Sequence, residues 1–142
     1  MKSVHSSDIE KIKKILLNSK HAVFFGGAGV STDSGIPDFR GNGGLYSSAD
    51  ESNEYYLSNE CLEDEPEKFF QFFRKNMVFE NAKPNGAHLA LSALEKRGVI
   101  KAVITQNIDG LYQKAGSERV IELHGAPTEV TVRNVERYLI TV

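Results

Sequence analysis

Residues 26–41 read GGAGVSTDSGIPDFRG and directly follow the apolar run HAVFF at positions 21–25. A short apolar run of this kind is typical of a strand buried on both faces of a parallel sheet. Glycines that follow such a strand allow the backbone to approach a pyrophosphate closely. A helix that begins after the loop offers unpaired N–H groups to the anion. The stretch therefore predicts an α/β fold with a dinucleotide site at the end of its first strand.

The Gly-rich loop departs from the usual dinucleotide fingerprint. Gly27 and Gly29 match the pattern G-x-G-x-x-G, but Thr32 occupies the third glycine position. The sequence also lacks an acidic residue at the end of an immediate second strand, where it would hold a ribose. These departures disfavour an ordinary Rossmann dehydrogenase. By itself the loop leaves a plain tight turn and a nucleotide site both open.

The rest of the chain alternates helices and strands, which predicts parallel pairing and an α/β fold class. Apolar periodicity and turn residues predict helices over residues 7–19, 66–77 and 85–97, and strands over residues 22–25, 99–104 and 119–123. The polar, turn-rich stretch 42–65 is expected to be loop. The helix that begins at Pro66 carries an aromatic stripe, which is usually core; the alternative is the wall of a substrate cleft.

Composition limits the function classes. The chain has 142 residues, of which 40% are hydrophobic and 25% are charged, as in an ordinary globular domain. A net charge of −2 gives no general attraction to nucleic acid or to an anionic membrane. The sequence has no apolar stretch near the roughly 20 residues of a membrane span and no signal-peptide pattern at its start, so we expect a cytoplasmic protein. The lone Cys61 cannot form an internal disulfide or, by itself, a cysteine zinc site.

Two further stretches follow the predicted second and third strands. TQNIDGL at positions 105–111 places amide and carboxylate side chains where ligands bind in open α/β sheets. ELHG at positions 122–125 places His124 at the end of the third strand, and an ordinary histidine pKa of about 6.5 suits a general base. In the first stretch, Phe39 could cover a flat ring and Arg40 could pair with phosphate.

Taken together, GAGVSTDSGIPDFRG, TQNIDGL and ELHG resemble the sirtuin family of NAD-dependent protein deacylases, in the family's order and spacing. PNGAHLALSAL at positions 84–94 is also similar. The likeness covers residues 7–125. It implies a partial NAD-binding catalytic domain over residues 1–125, with an incomplete doubly wound, Rossmann-like parallel sheet, and a tail over residues 126–142 that does not resemble the family.

The resemblance implies roles for individual residues. It assigns NAD binding to Gly27, Ala28, Gly29, Thr32, Asp38, Phe39, Arg40, Gln106, Asn107, Ile108, Asp109 and His124. It assigns catalysis to His124, Asn107 and Asp109. The glycines and Thr32 would cradle the diphosphate, Phe39 would lie near the nicotinamide, and His124 would be the general base.

The implied reaction transfers an acyl group from a lysine of a protein or peptide to ADP-ribose. The acyl oxygen attacks the nicotinamide ribose C1′, nicotinamide leaves, and His124 helps deprotonate a ribose hydroxyl. Relatives that remove acidic acyl groups resemble one another in a Tyr-x-x-Arg pair. In this sequence Ala49, Ser58 and Asn59 stand three positions after the tyrosines in question, so we expect a neutral acyl group such as acetyl.

The family continues after His-Gly into a zinc module held by two Cys-x-x-Cys pairs, and then into further strands. Residues 126–142, APTEVTVRNVERYLITV, contain no cysteine, so zinc ligands are absent from this sequence. One back-translation of residues 128–137, read in another frame, encodes a Cys-x-x-Cys pair. This suggests a frameshift after about Gly125; a genuine short protein is the alternative. We expect weak or no deacylase activity from this chain, and a non-catalytic remnant that binds NAD or ADP-ribose is the alternative function.

Overall fold

Three short parallel strands form the centre of the fold. The computed structural model describes residues 6–47 and 52–125. In that part the sheet has the order β1 (Phe24–Gly26), β2 (Val103–Thr105) and β3 (Val120–Glu122). Phe24 pairs with Val103, which in turn pairs with Val120. All three strands run in the same direction, so their carboxyl ends meet at one edge of the sheet.

The connecting segments are mostly helical. The helices of the described residues are α1 (Ser6–Asn18), a 3₁₀ helix (Ala28–Ser34), α2 (Ser52–Tyr56), α3 (Asn59–Asp64), α4 (Pro66–Met77), α5 (Gly86–Lys96) and α6 (Leu111–Lys114). Local sequence explains several of their starts. Ser58 accepts a hydrogen bond from the Cys61 N–H at the start of α3, and Pro66 begins α4. Asn85 and His88 form a capping box at the start of α5.

The predicted α/β class with a parallel sheet is confirmed, and the long predicted helices α1, α4 and α5 are all present. The prediction that residues 42–65 are loop is wrong for α2 and α3. These helices have five and six residues, so an apolar repeat of 3.6 residues has no room to recur in them. The second strand begins later than predicted, because the N–H groups of Val99 and Ile100 donate to the Leu94 carbonyl and close the end of α5.

The core lies on one face of the sheet. It consists of Leu91, Ile100, Val103 and Tyr112, with Phe24, Val120 and Leu16 of α1 among the residues packed against it. Side chains alternate along a strand, so Phe25 and Ile121 point to the opposite face. That face is open to solvent, since Phe25 is 59% exposed and Ile121 is 51% exposed. The prediction that the first strand is buried on both faces is therefore wrong.

The first helix packs only in part. Leu16 contacts the core, whereas Ile9, Ile12 and Ile15 are exposed. Among the helices of the described ranges, none is both long enough and apolar enough to cross a lipid bilayer. The predicted tail over residues 126–142 lies outside the described residues.

Candidate functional site

A cleft of about 660 Å³ lies at the carboxyl ends of the strands. The loop after the 3₁₀ helix forms one wall, α4 forms another, and the segment after β2 forms the floor. The residues that line the cleft are Ala28, Ile36, Pro37, Phe39, Arg40, Leu45, Tyr46, Leu57, Phe69, Phe73, Asn76, Met77, Phe79, Gln106, Asn107, Ile108, Asp109 and His124. Eight of the twelve residues predicted to bind NAD are among them: Ala28, Phe39, Arg40, Gln106, Asn107, Ile108, Asp109 and His124. The structure thus brings residues from three distant stretches of sequence into one cavity.

A polar network joins the 3₁₀ helix to the segment after β2. The Ser31 hydroxyl donates to Asp109 Oδ2 at 2.6 Å, and Asn107 Nδ2 donates to Ser31 Oγ at 3.1 Å and to Asp109 Oδ2 at 3.3 Å. The Leu111 N–H donates to the other carboxylate oxygen of Asp109 at 2.9 Å. Ser31 and Asn107 are buried, so these bonds fix their side chains against the cleft. Ser31 is not among the twelve residues that the sequence resemblance assigns to NAD binding.

His124 is oriented by a backbone carbonyl. Its Nδ1 lies 3.0 Å from the Gln106 carbonyl oxygen. Because a carbonyl oxygen only accepts hydrogen bonds, Nδ1 must carry the proton in this contact, and the neutral ring keeps its lone pair on Nε2. The Gln106 N–H in turn donates to the Gly26 carbonyl at 3.1 Å, which ties this segment to β1. The arrangement leaves Nε2 available to accept a proton.

The loop over residues 36–46 is closed by its own hydrogen bonds. The N–H groups of Leu45 and Tyr46 donate to the carbonyls of Asp38 and Phe39, both at 2.7 Å. The Asp38 carboxylate accepts from the Gly41 N–H at 2.8 Å. Asp38 therefore builds the loop and does not line the cleft, whereas Phe39 lines it and packs against the Tyr46 ring at 5.2 Å between centroids.

Arg40 is held at the mouth of the cleft by weak contacts. Its guanidinium lies 5.9 Å from the centre of the Tyr46 ring and 3.4 Å from a Glu54 carboxylate oxygen. Burial, followed by the Glu54 charge, raises the pKa of Tyr46, and the Arg40 charge opposes that shift. The Arg40 side chain is 79% exposed, so its ion pair contributes little to stability. The guanidinium can exchange Glu54 for an anionic ligand at small cost.

Gly27, Gly29 and Thr32 do not line the cleft itself. The Thr32 hydroxyl donates to the Gly29 carbonyl at 3.0 Å, within the 3₁₀ helix. A Cβ added at Gly29 would meet nothing within 4 Å, so protein packing does not require glycine there. Open space beside this backbone is the room that a phosphate group needs for close approach. The loop thus fits a dinucleotide, although the described geometry gives Thr32 no contact with the cleft.

The aromatic stripe of α4 lines the cleft, which is the alternative that the sequence left open. The rings of Phe69 and Phe73 stack at 6.0 Å with an angle of 13° between them, and Met77 continues the same wall. None of the residues of α4 is fully buried. The stripe itself was the signal in the sequence that could have placed α4 at the cleft.

Zinc does not fit the described residues. Cys61 is buried in α3, and burial is the main cause that raises the pKa of its thiol. Within residues 6–47 and 52–125, His, Cys, Asp and Glu side chains do not gather in any group of three that could hold a metal ion.

The fold and the cleft define an α/β protein with a ligand-sized cavity, lined in part by His124, at the carboxyl ends of its parallel strands. The model of the Sir2 family matches residues 27–139, and the chain belongs to this family. It is 51% identical over 121 residues to an NAD-dependent protein deacetylase of Clostridium perfringens, which covers 83% of this chain and 50% of that protein. The chain thus spans about half the length of the relatives it matches.

Solved structures of Sir2 proteins have the same fold. A Sir2–p53 peptide–NAD+ complex matches with a TM-score of 0.69 and 44% identity, over 83% of this chain and 46% of that one. A Sir2 variant with deacetylated p53 peptide and 3′-O-acetyl ADP ribose matches with a TM-score of 0.76 and 43% identity, over 83% of this chain and 47% of that one. These likenesses confirm the predicted family and its Rossmann-like fold.

Proposed function

We propose that the protein is an NAD-dependent protein-lysine deacetylase, and that this chain carries the part of the site around the nicotinamide, its ribose and the diphosphate. One observation carries the proposal. The His124 ring, with Nε2 free, shares a cleft with the Ser31–Asn107–Asp109 network and the Phe39 loop. The family and its named deacetylase relatives support the same reaction.

The residues of the cleft divide the proposed work among them. NAD, when bound, supplies an electrophilic ribose carbon and a nicotinamide leaving group. The buried amide of Asn107 and the carboxylate of Asp109 would orient a carboxamide, and Arg40 would pair with the diphosphate. His124 would accept a proton at Nε2 from a hydroxyl group in the cleft. Phe39 would exclude water from the reacting centre.

We propose an acetyl-lysine peptide as the second substrate. Similar Sir2 structures hold a p53 peptide or an acetylated peptide, which supports this class of ligand. The apolar wall of α4 provides a surface that suits a neutral acyl group better than an acidic one. The cytoplasmic location predicted from the sequence is likewise a proposal, which fractionation of expressing cells would test.

Nicotinamide release tests the proposed reaction. The purified chain, given NAD and an acetyl-lysine peptide, should release nicotinamide slowly, since half of the relatives' length has no counterpart here. His124→Asn should abolish the release. His21→Asn is the matched control, because His21 is exposed and does not line the cleft.

Two other outcomes have distinct meanings. Thermal stabilisation by NAD without any release would favour the non-catalytic remnant over the deacetylase. If NAD neither stabilises the chain nor is cleaved to release nicotinamide, both proposed functions are contradicted.

A further inference from the structure

We propose that Asn85 is a positioning residue for the loop that begins the candidate nucleotide site, an inference that rests on the proposed function. Asn85 lies at the start of α5 and does not line the cleft. Its side-chain amide Nδ2 donates to the Val30 carbonyl at 2.8 Å, across a separation of 55 residues. This bond joins α5 directly to the 3₁₀ helix.

The 3₁₀ helix needs support from outside. It runs for seven residues, from Ala28 to Ser34, whereas 3₁₀ helices rarely exceed three or four because their hydrogen bonds are poorly aligned. On one side, the Ser31 hydroxyl donates to Asp109. On the other side, the bond from Asn85 holds the Val30 carbonyl. The two bonds fix neighbouring residues of the helix from two different elements.

The Asn85 amide is itself held in place. Its Oδ1 accepts a hydrogen bond from the Ala87 N–H at 2.9 Å, so the same side chain caps α5. Its backbone N–H donates to His88 Nδ1 at 3.3 Å, and His88 is completely buried against the Tyr112 ring. Because the amide oxygen accepts the hydrogen bond from α5, the planar amide group is fixed with its NH₂ toward the Val30 carbonyl. The orientation that the loop requires is thus set by the core.

The consequence for a ligand is preorganisation. Gly29 and Ser31, the residues on either side of Val30, belong to the open backbone edge and to the polar network of the site. A loop held in its binding conformation loses less conformational freedom when a nucleotide binds. Loss of the Asn85 link should therefore loosen residues 28–36 and weaken nucleotide binding, with little change in α5.

Two substitutions of Asn85 are designed to remove its hydrogen bond to the Val30 carbonyl while keeping the hydrogen bond that caps α5. Serine and aspartate both cap helices about as well as asparagine. An ionised aspartate has no proton to donate to the Val30 carbonyl, and the serine hydroxyl lies one bond closer to the backbone than Asn85 Nδ2, too short for the 2.8 Å contact. Asn85→Ser removes the link alone, and Asn85→Asp adds a negative charge. Asn18→Ser, at the exposed end of α1, is the matched control.

Hydrogen exchange provides a readout that does not depend on any ligand. We expect both Asn85 variants to speed amide exchange in residues 28–36, including the Gly35 and Ile36 N–H groups that close the 3₁₀ helix. Exchange in α5 should stay unchanged because its cap is kept. Unchanged exchange in residues 28–36 would overturn the proposal.

Titration with ADP-ribose provides the second readout. We expect both Asn85 variants to bind about two- to tenfold more weakly than the parent chain, the range that one lost hydrogen bond gives. Faster exchange with unchanged affinity, or loss of affinity in Asn85→Asp alone, would overturn the positioning role. If the parent chain does not bind ADP-ribose, the proposed function fails, and hydrogen exchange still decides whether the link holds the loop.

Discussion

At the scale of single residues, the glycines of the first loop differ in whether packing within the chain requires glycine at that position. A Cβ at Gly26 would lie 2.5 Å from the Tyr112 hydroxyl oxygen and 2.6 Å from a Phe24 ring carbon, so packing demands glycine there. Gly29 has no such neighbour, and its backbone angles are open to other residues. Packing within the chain therefore demands glycine at Gly26, but not at Gly29 or at Gly27, where an added Cβ would meet only the Gln106 side chain at 3.5 Å.

Gly29→Ala separates stability from binding. Alanine favours a helical backbone over glycine by up to about 1 kcal/mol, and no neighbour blocks the methyl group, so we expect unchanged or slightly higher thermal stability. Affinity for ADP-ribose should fall, because the methyl group occupies space that the phosphates need. Thermal denaturation and calorimetric titration measure the two effects.

The matched control is Gly86→Ala, in the first turn of α5, where an added Cβ also meets nothing within 4 Å. It should leave the affinity for ADP-ribose unchanged. If Gly29→Ala binds as tightly as the parent chain, the loop does not cradle phosphate.

Eight of the twelve residues that the sequence assigned to NAD binding line the cleft, but the sequence did not predict the contacts that each one makes. Asn107, Asp109 and His124 follow strand ends, so parallel topology was enough to bring them together. The contacts of Asp38 and Thr32 within their own loop depend on turn geometry that their identities do not encode. Asn85 was missed because its hydrogen bond to the Val30 carbonyl joins residues that are 55 positions apart in the sequence. From the sequence, an asparagine at this position indicates only the cap of a helix.

At the scale of elements, α5 and α6 connect the sheet to the site through buried polar side chains. His88 of α5 packs edge-on against Tyr112 of α6, with ring centroids 4.7 Å apart. Burial lowers the pKa of His88, and the nearby charge of Asp109 opposes the shift only in part. Folding therefore favours the neutral form of His88 over the charged form.

This lowered pKa predicts a loss of stability in acid. An unfolded histidine binds a proton with a pKa of about 6.5, so below that pH the unfolded chain binds more protons than the folded chain. The free energy of unfolding should fall as the pH drops below this value, and the contribution of His88 should be fully present above it. Urea denaturation across this range measures the effect.

Replacing His88 with glutamine should remove that part of the pH dependence. Since this change can itself destabilise the buried site, an NMR titration of the His88 ring in the parent chain gives an independent check. A midpoint at or above the ordinary value of about 6.5 would show that the inference from burial is wrong.

Boundaries of elements were harder to predict than their existence. The long helices α1, α4 and α5 repeat an apolar pattern over several turns, so their existence could be predicted from the sequence. The strands have three residues each, and their ends are set by pairing with neighbours. Helices as short as α6 carry too few residues for any period to be visible.

At the scale of the whole molecule, one face of the sheet is exposed in the part of the chain that the structure describes, residues 6–47 and 52–125. Val23, Phe25, Ile121 and Leu123 are each more than half exposed. The same chain corresponds to about half the length of its relatives. Contiguous apolar surface of this kind binds other apolar surfaces.

We expect the 142-residue chain to bind the dye ANS under native conditions. Ile121→Lys should reduce the fluorescence and the tendency to aggregate, with a change in stability within about 0.5 kcal/mol, as for other surface substitutions. Glu80→Lys, at an exposed polar position outside this face, is the control for added charge. ANS fluorescence no higher than in buffer would show that the face is covered in solution.

The central claim is that the cleft at the carboxyl ends of the strands binds the nucleotide. A second cleft of about 450 Å³, with Lys96, Lys101 and Arg119 in its lining, offers a competing place for an anion. Titration of the isotope-labelled chain with ADP-ribose, followed by NMR, distinguishes the two. We predict saturable shifts in residues 27–40 and 105–110 and at His124. Shifts confined to the second cleft, or none at all, would contradict the account.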